Sequence, residues 1–257
     1  MIIPGGVDSF SVPSFGGNTY IIVPGATAAI MGAAHSDPNS YYIGGSATVQ
    51  TGAVAPIAGD TYNVTGGKLT IQSLVGNVAL TNSTINLSDG GVLTNTGSGI
   101  LNLFKGATVN FNGGGGTFIA DGGGAFINLS GTTINFFEGG NDGKNIIRFQ
   151  NMSDAPANYT ITSNTGSQTI TVTDANGKQL ATVNVQGNDL QTGTFSATGK
   201  GPITVNSTDG SLNIINKSIV CFLAGTEIRT PTGVVLIEEL QVGDEVLVRV
   251  GESDVVR

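Results

Sequence analysis

The stretch STINLSDGGVLTNTGSGILNLFKGATVNFNGGGG, residues 83–116, contains one full period of a repeat and the start of the next. Its marker STINL (83–87) returns as ATVNF (107–111) and as TTINF (132–136). Paired glycines keep the same rhythm, because their pairs begin at positions 66, 90, 114 and 139. Two markers in phase indicate a chain built from stacked, similar units.

Polar and apolar residues alternate within each marker. In a β-strand this alternation directs the apolar side chains to one face and the threonine and asparagine side chains to the other. The apolar set is Ile85, Leu87, Val109, Phe111, Ile134 and Phe136. At ~3.3 Å per residue, one period holds two or three short strands with glycine-rich corners. The sequence therefore predicts an all-β fold, a parallel β-helix with coils of about 24 residues; the leucine and asparagine spacing of a leucine-rich repeat is absent.

The rhythm divides the chain into four predicted regions. Residues 1–60 contain short apolar runs broken by proline and glycine, and are predicted to form a β region or cap. Residues 61–144 hold the β-helical repeats. Residues 145–217 form a segment rich in β-hairpins, in which Thr169–Thr173 and Leu180–Val185 flank an Asn-Gly loop. This segment is either a small antiparallel sandwich or the altered last coils, and residues 218–257 form the fourth region.

The composition excludes several classes of partner. The 257 residues carry a net charge of −8, which offers no attraction to phosphate backbones or anionic lipids. No stretch reaches the ~18 apolar residues of a spanning helix. We therefore expect neither nucleic acid binding nor membrane insertion. The first residues, MIIPGGVDSF, do not form a classical signal peptide.

The C-terminal segment 221–257 differs in composition from the chain before it. It includes 10 charged side chains, against 18 in the whole of the much longer preceding part. It begins with the only cysteine, Cys221. Turn residues at Pro231-Thr232-Gly233 separate an initial strand from a second, Val234–Ile237, and a third strand is predicted over Glu245–Val250. The change in charge therefore predicts a separate domain that begins near residue 218.

This segment resembles the first block of the bacterial form of the Hint module, which Hedgehog autoprocessing domains and inteins share. The residues that carry the resemblance are Cys221, Phe222, Ala224, Gly225, Thr226, Ile228, Thr230, Gly233, Glu239, Leu240, Gly243 and Asp244. In bacterial surface proteins such modules often follow β-solenoid regions rich in glycine, threonine and asparagine. The repeats upstream look like such a region, so the two parts of the chain agree.

The resemblance implies autoprocessing. Cys221 is the implied nucleophile and Val220 supplies the scissile carbonyl, in an N-to-S acyl shift that converts their peptide bond to a thioester. The family takes an assisting histidine from a Thr-x-x-His block downstream, whereas the one histidine here, His35, lies upstream. The expectation is a truncated module, at most a single-turnover autoprotease, that is inactive in cleavage in this chain.

The other candidate residues favour structural roles. Asn86, Asn110 and Asn135 predict either a stacked amide ladder inside the coil or a polar outer row. His35 is expected in a solvated loop. Aspartates near the coil corners leave Ca²⁺ binding as an alternative, although their spacing is not that of the calcium nonapeptide repeat. These aspartates are Asp89, Asp121, Asp142 and Asp154. We expect no cofactor and no metal.

Together these features predict an adhesin-like β-solenoid passenger, extracellular or on a bacterial cell surface, which its C-terminal Hint module releases or rearranges. Its partner would be a surface ligand, a polysaccharide or a protein. The alternative is a β-helical lyase or hydrolase acting on polysaccharides, which needs clustered carboxylates and a basic residue on one face. A fragment resembling a phage tail spike is a third interpretation, and it leaves the block around Cys221 unexplained.

Overall fold

The fold comes from a computed structural model, which describes residues 1–11, 16–31, 37–51, 59–73, 80, 82–96, 104, 106–121, 127–135, 137, 145–187, 190–216, 226–231, 233–240, 244–250 and 253–256. The chain divides into two compact units, Met1–Ser218 and Ile219–Arg257. The larger unit is all-β, and its strands belong to two long sheets.

The first sheet contains eleven strands among the described residues. In spatial order they are β1 (Ile2–Ile3), β3 (Thr19–Ile22), β5 (Ser40–Ile43), β7 (Thr61–Thr65), β9 (Thr84–Ser88), β11 (Thr108–Phe111), β13 (Ile127–Asn135), β17 (Gln179–Gln186), β16 (Ser167–Thr173), β15 (Asn158–Asn164) and β18 (Gly193–Ser196). The second sheet contains nine strands over the same described ranges. They are β19 (Ile203–Thr208), β20 (Ser211–Asn216), β14 (Asn145–Gln150), β12 (Gly116–Asp121), β10 (Gly91–Thr96), β8 (Lys68–Ser73), β6 (Ser46–Thr51), β4 (Ala26–Met31) and β2 (Gly6–Ser11).

Successive strands from β1 to β14 alternate between the two sheets, and within each sheet they pair in parallel. The repeat markers are in register, because Thr84 pairs with Thr61 on one side and with Thr108 on the other. Parallel pairing also includes the first strands of the chain, β1 with β3 and β2 with β4. Long parallel sheets that alternate along the chain are compatible with the predicted β-helix.

The core lies beneath both sheets. Ile85, Leu87, Val109 and Phe111 are buried, as the alternation of the markers predicts, while Phe136 lies outside the described residues. Inward-facing side chains from both sheets form one buried cluster. Burying each large aliphatic or aromatic side chain contributes about 1.5–3 kcal/mol. The cluster is therefore the main source of stability of this unit.

The glycine pairs that begin at positions 66, 90 and 114 lie between a strand of the first sheet and the next strand of the second, whereas the pair at 139 lies outside the described residues. Gly90 has a φ of 80°, in the left-handed region that disfavours residues with a Cβ atom. Gly91 begins β10, and a Cβ atom there would overlap the carbonyl oxygen of Val64 in β7. Gly91 thus lies where β10 passes too close to β7 for a side chain to fit.

The strands from β15 to β20 pair antiparallel with one another and extend the two existing sheets. β17 pairs in parallel with β13, and β16, β15 and β18 follow it in the first sheet. β20 pairs antiparallel with β14, and β19 follows it in the second sheet. The predicted hairpin is confirmed, with β16 and β17 flanking the Asn-Gly loop. The segment is therefore not a separate sandwich, because its strands hydrogen-bond to the parallel sheets.

The smaller unit contains two antiparallel hairpins in its described residues. Its elements are β21 (Glu227–Thr230), β22 (Gly233–Leu236), a 3₁₀ helix (Ile237–Glu239), β23 (Leu247–Val250) and β24 (Ser253–Val256). The first hairpin turns at the predicted place, and the 3₁₀ helix follows its second strand directly. β23 begins at Leu247, slightly later than the third strand that the sequence predicts from Glu245.

Candidate functional site

The predicted processing junction lies outside the described residues. Val220 and Cys221 fall in the interval 217–225, together with Phe222, Ala224 and Gly225 of the sequence motif. The nucleophile and the scissile carbonyl therefore remain predictions from the sequence.

The described residues of the motif shape the hairpin that follows the cysteine. The Ile237 N–H donates to the Thr226 carbonyl oxygen at 2.9 Å, and this bond ties the 3₁₀ helix to the start of the hairpin. At the turn, the Thr230 hydroxyl donates to the Gly233 carbonyl oxygen at 3.0 Å. Gly233 has a φ of 142°, which favours glycine. These motif positions hold the backbone of the hairpin.

The corner aspartates that the structure describes have separate partners. Asp154 accepts a hydrogen bond from Lys178 at 2.7 Å, and this charged bond lowers the pKa of its carboxyl. Asp121 accepts from the Asn151 amide at 2.7 Å. Asp89 is an exposed turn residue with a φ of 50°. Asp142 and His35 lie outside the described residues.

The repeated asparagines form a side-chain ladder on the outward face of the first sheet. The Asn86 amide donates to Asn63 at 2.8 Å, Asn110 donates to Asn86 at 2.7 Å, and Asn135 donates to Asn110 at 2.7 Å. Asn63, Asn86 and Asn110 are half-buried between buried neighbours, and Asn135 is half-buried after the buried Ile134, so the row faces away from the core. The two predicted alternatives, ladder and outer row, are thus combined in one feature, which begins one coil earlier, at Asn63.

A second ladder lies inside the larger unit and was not predicted. Tyr20, Tyr41 and Tyr62 stack face to face with ring centroids 5.0 and 4.8 Å apart. The buried Asp60 carboxylate accepts the Asn39 N–H at 2.7 Å and the Tyr62 hydroxyl at 3.4 Å. Burial, and then the charge of Asp60, raises the pKa of Tyr62. The signal was available, because the three tyrosines are evenly spaced along the sequence.

No group of three or more His, Cys, Asp or Glu side chains with the arrangement of a metal site occurs in the part of the chain that the structure describes. A search of the same ranges for helices finds none that is long and apolar enough to cross a membrane. The predicted calcium alternative therefore has no support from its described aspartates.

These observations define an all-β protein with two long parallel sheets and a C-terminal unit of hairpins. The model of the Hint domain family matches residues 220–257, which lie within the smaller unit and contain the whole block that carries the resemblance. The C-terminal segment is thus supported as a Hint domain. No curated protein and no solved structure matches the chain.

Proposed function

We propose that the larger unit is a parallel β-helix that acts as an adhesin-like passenger, extracellular or on a bacterial surface, and that the Hint domain acts on the junction after it. The observation that carries this proposal is the family match, which begins at Val220 and includes the only cysteine of the chain. The boundary between the compact units, after Ser218, lies just before that match. A cut at this junction would separate one unit from the other.

The proposed chemistry is an acyl shift followed by hydrolysis. The Cys221 sulfur attacks the Val220 carbonyl carbon, an S–C bond forms, the C–N bond breaks, and the thiol proton passes to the departing amine. Water then attacks the thioester, which frees the Cys221 thiol and leaves a carboxylate on Val220. The step needs a positioned acid, which in the family is a histidine downstream of the cysteine block.

The test compares intact masses of the product expressed from the complete gene, with and without Cys221→Ala. The expected result is a fragment that ends at Val220 from the parent and an uncut product from the variant. Added dithiothreitol should accelerate release from the parent only, because an external thiol exchanges with a thioester. Equal cleavage of both proteins would reject Cys221 as the nucleophile. If both stay whole and dithiothreitol releases nothing, the Hint domain contributes its fold without this chemistry.

A parallel β-helix suits a passenger because stacked coils form a stiff, extended surface without a catalytic centre. The support here is the regular register of the first sheet, in which a threonine and an asparagine recur at equivalent positions in β7, β9, β11 and β13. The alternative function, a lyase acting on polysaccharides, predicts a rise in ultraviolet absorbance from new double bonds with pectate or alginate. We expect no such rise with the full chain.

A further inference from the structure

The outward face of the first sheet is free of charge. None of its eleven strands contains Asp, Glu, Lys, Arg or His among the residues that the structure describes. The strands of the second sheet contain four charged residues, namely Asp8, Lys68, Asp121 and Arg148. The chain as a whole has a net charge of −8. Charged residues are therefore excluded from one face of a protein that carries them elsewhere.

One row of side chains runs the length of the parallel part of this face. It begins with Ile2, Ile21 and Tyr42, which are 66%, 39% and 49% exposed, and these are most of the exposed large hydrophobic residues in the described part of the larger unit. Strand register then continues the row with the asparagine ladder. Beside it runs a row of hydroxyl groups. The second row consists of Thr19, Ser40, Thr61, Thr84, Thr108 and Thr133.

The ladder leaves hydrogen-bonding capacity at regular intervals. Asn86 and Asn110 each donate one ladder bond and accept one, although a primary amide has two N–H groups and two lone pairs. Each of these amides therefore retains one donor and one acceptor. Adjacent strands repeat this pattern every ~4.8 Å, with a threonine hydroxyl beside each amide. A ligand that matches the face must both donate and accept hydrogen bonds along its whole length.

We propose that this face binds a linear, uncharged polysaccharide, which deepens and rests on the passenger role proposed above. Charge complementarity favours a neutral polymer, because neither an anionic nor a cationic chain finds a counter-charge there. Sugar hydroxyls donate and accept along the polymer, as the amide and threonine rows require. The exposed Tyr42 ring, next to Asn63 in the row, provides an apolar surface for a sugar ring, with its hydroxyl as a polar contact.

The test measures retention of the full chain on insoluble cellulose, chitin, starch and β-1,3-glucan, and on alginate and pectate gels as charged controls. We expect retention on at least one neutral polymer and none on the charged gels. Thr84→Lys, on the first sheet, should weaken retention about tenfold, and so should Tyr42→Ala. Thr70→Lys places the same charge on a half-buried outward position of the second sheet and should change retention by less than about twofold. Circular dichroism melts of each variant check that it is folded.

Other outcomes would overturn the proposal. Retention on no neutral polymer rejects it, and so does an equal loss in Thr84→Lys and Thr70→Lys. If the chain is retained on no glycan but self-associates, and Thr84→Lys abolishes the self-association, the face binds a second copy of the chain. If it instead shapes ice crystals, and Thr84→Lys abolishes that activity, the face binds ice. Release that depends on Cys221 is scored separately on the complete gene product, so failure to bind glycans is distinguishable from failure of processing.

Discussion

The two long sheets differ on their outward faces and agree on their inward ones. Outward positions of the first sheet are threonine, serine, asparagine and glutamine with an apolar start, whereas those of the second include Lys68, Asp121 and Arg148. Most inward positions of both sheets are buried and aliphatic or aromatic, with polar exceptions such as Asn95 and Gln168, and the apolar ones form one cluster. Folding thus requires the inward pattern on both sheets and leaves the outward composition free. The difference in composition between the two outward faces is therefore the feature that points to function.

The largest expected effect is a loss of folding stability, and it tests whether the inward faces of the two sheets share one core. Ile85 on β9 and Ile71 on β8 are both fully buried, one on each sheet. Replacing either with alanine removes buried methyl and methylene groups and leaves a cavity, so we expect a loss of about 2–5 kcal/mol in each case. Urea titration of the full chain measures the change. A large loss for one variant and none for the other would show that the two inward faces do not share one core.

A smaller effect is expected at the corner that joins the sheets. Gly91→Ala places a methyl group against the Val64 carbonyl oxygen and should cost about 1–3 kcal/mol. Gly5→Ala is the matched control, because no atom lies within 4 Å of the added carbon there, and its cost should stay within about 0.5 kcal/mol. Thermal melts of both variants decide the point. Equal stability of the two would mean that the coils are not in close contact at Gly91.

The smallest effect concerns the outward face itself. Asn110→Ala removes two ladder bonds, and Asn135→Ala removes one. Each exchange of a side-chain hydrogen bond for water is worth about 0.5–1.5 kcal/mol. On that basis we expect Asn110→Ala to cost about 1–2 kcal/mol and Asn135→Ala about half as much, as measured by urea titration. If neither variant changes stability, the ladder is not needed for folding, and the contrast between the faces is entirely one of ligand binding.

The parallel register of the first sheet was predictable from the sequence where the spacing of the strand markers is nearly constant. Between residues 61 and 135 the strand markers recur at steps of 23 to 25 residues, and their register in the first sheet follows that spacing. Parallel pairing of the first strands was not predicted, because the coils there are shorter. Thr19 pairs with Ser40, and Ser40 with Thr61, and both steps are shorter than the next one, from Thr61 to Thr84. A prediction that assumes one constant period misses strands whose spacing in the sequence is shorter.

The asparagine ladder was predicted as a pattern without its geometry. Nearly equal spacing of Asn86, Asn110 and Asn135 indicated that they stack. Which face they occupy followed from the burial of their neighbours in the strand, which spacing does not encode. The tyrosine stack around Asp60 was missed for a related reason. The sequence does not show that the Asp60 carboxylate is buried, because the groups that satisfy its hydrogen bonds come from other parts of the chain. The backbone N–H of Asn39 is one of these groups.

The sequence by itself determined that the chain is β-rich, where glycine pairs separate its strands, and that its C-terminal segment matches a Hint block, because each of these depends on local spacing and residue type. Only the tertiary structure decided that the antiparallel strands extend the parallel sheets, and that one whole outward face carries no charge among its described residues. The physical reason is that both properties arise from strands that are far apart in sequence. Hydrogen bonding between coils brings these strands side by side, and that pairing is a property of the folded chain.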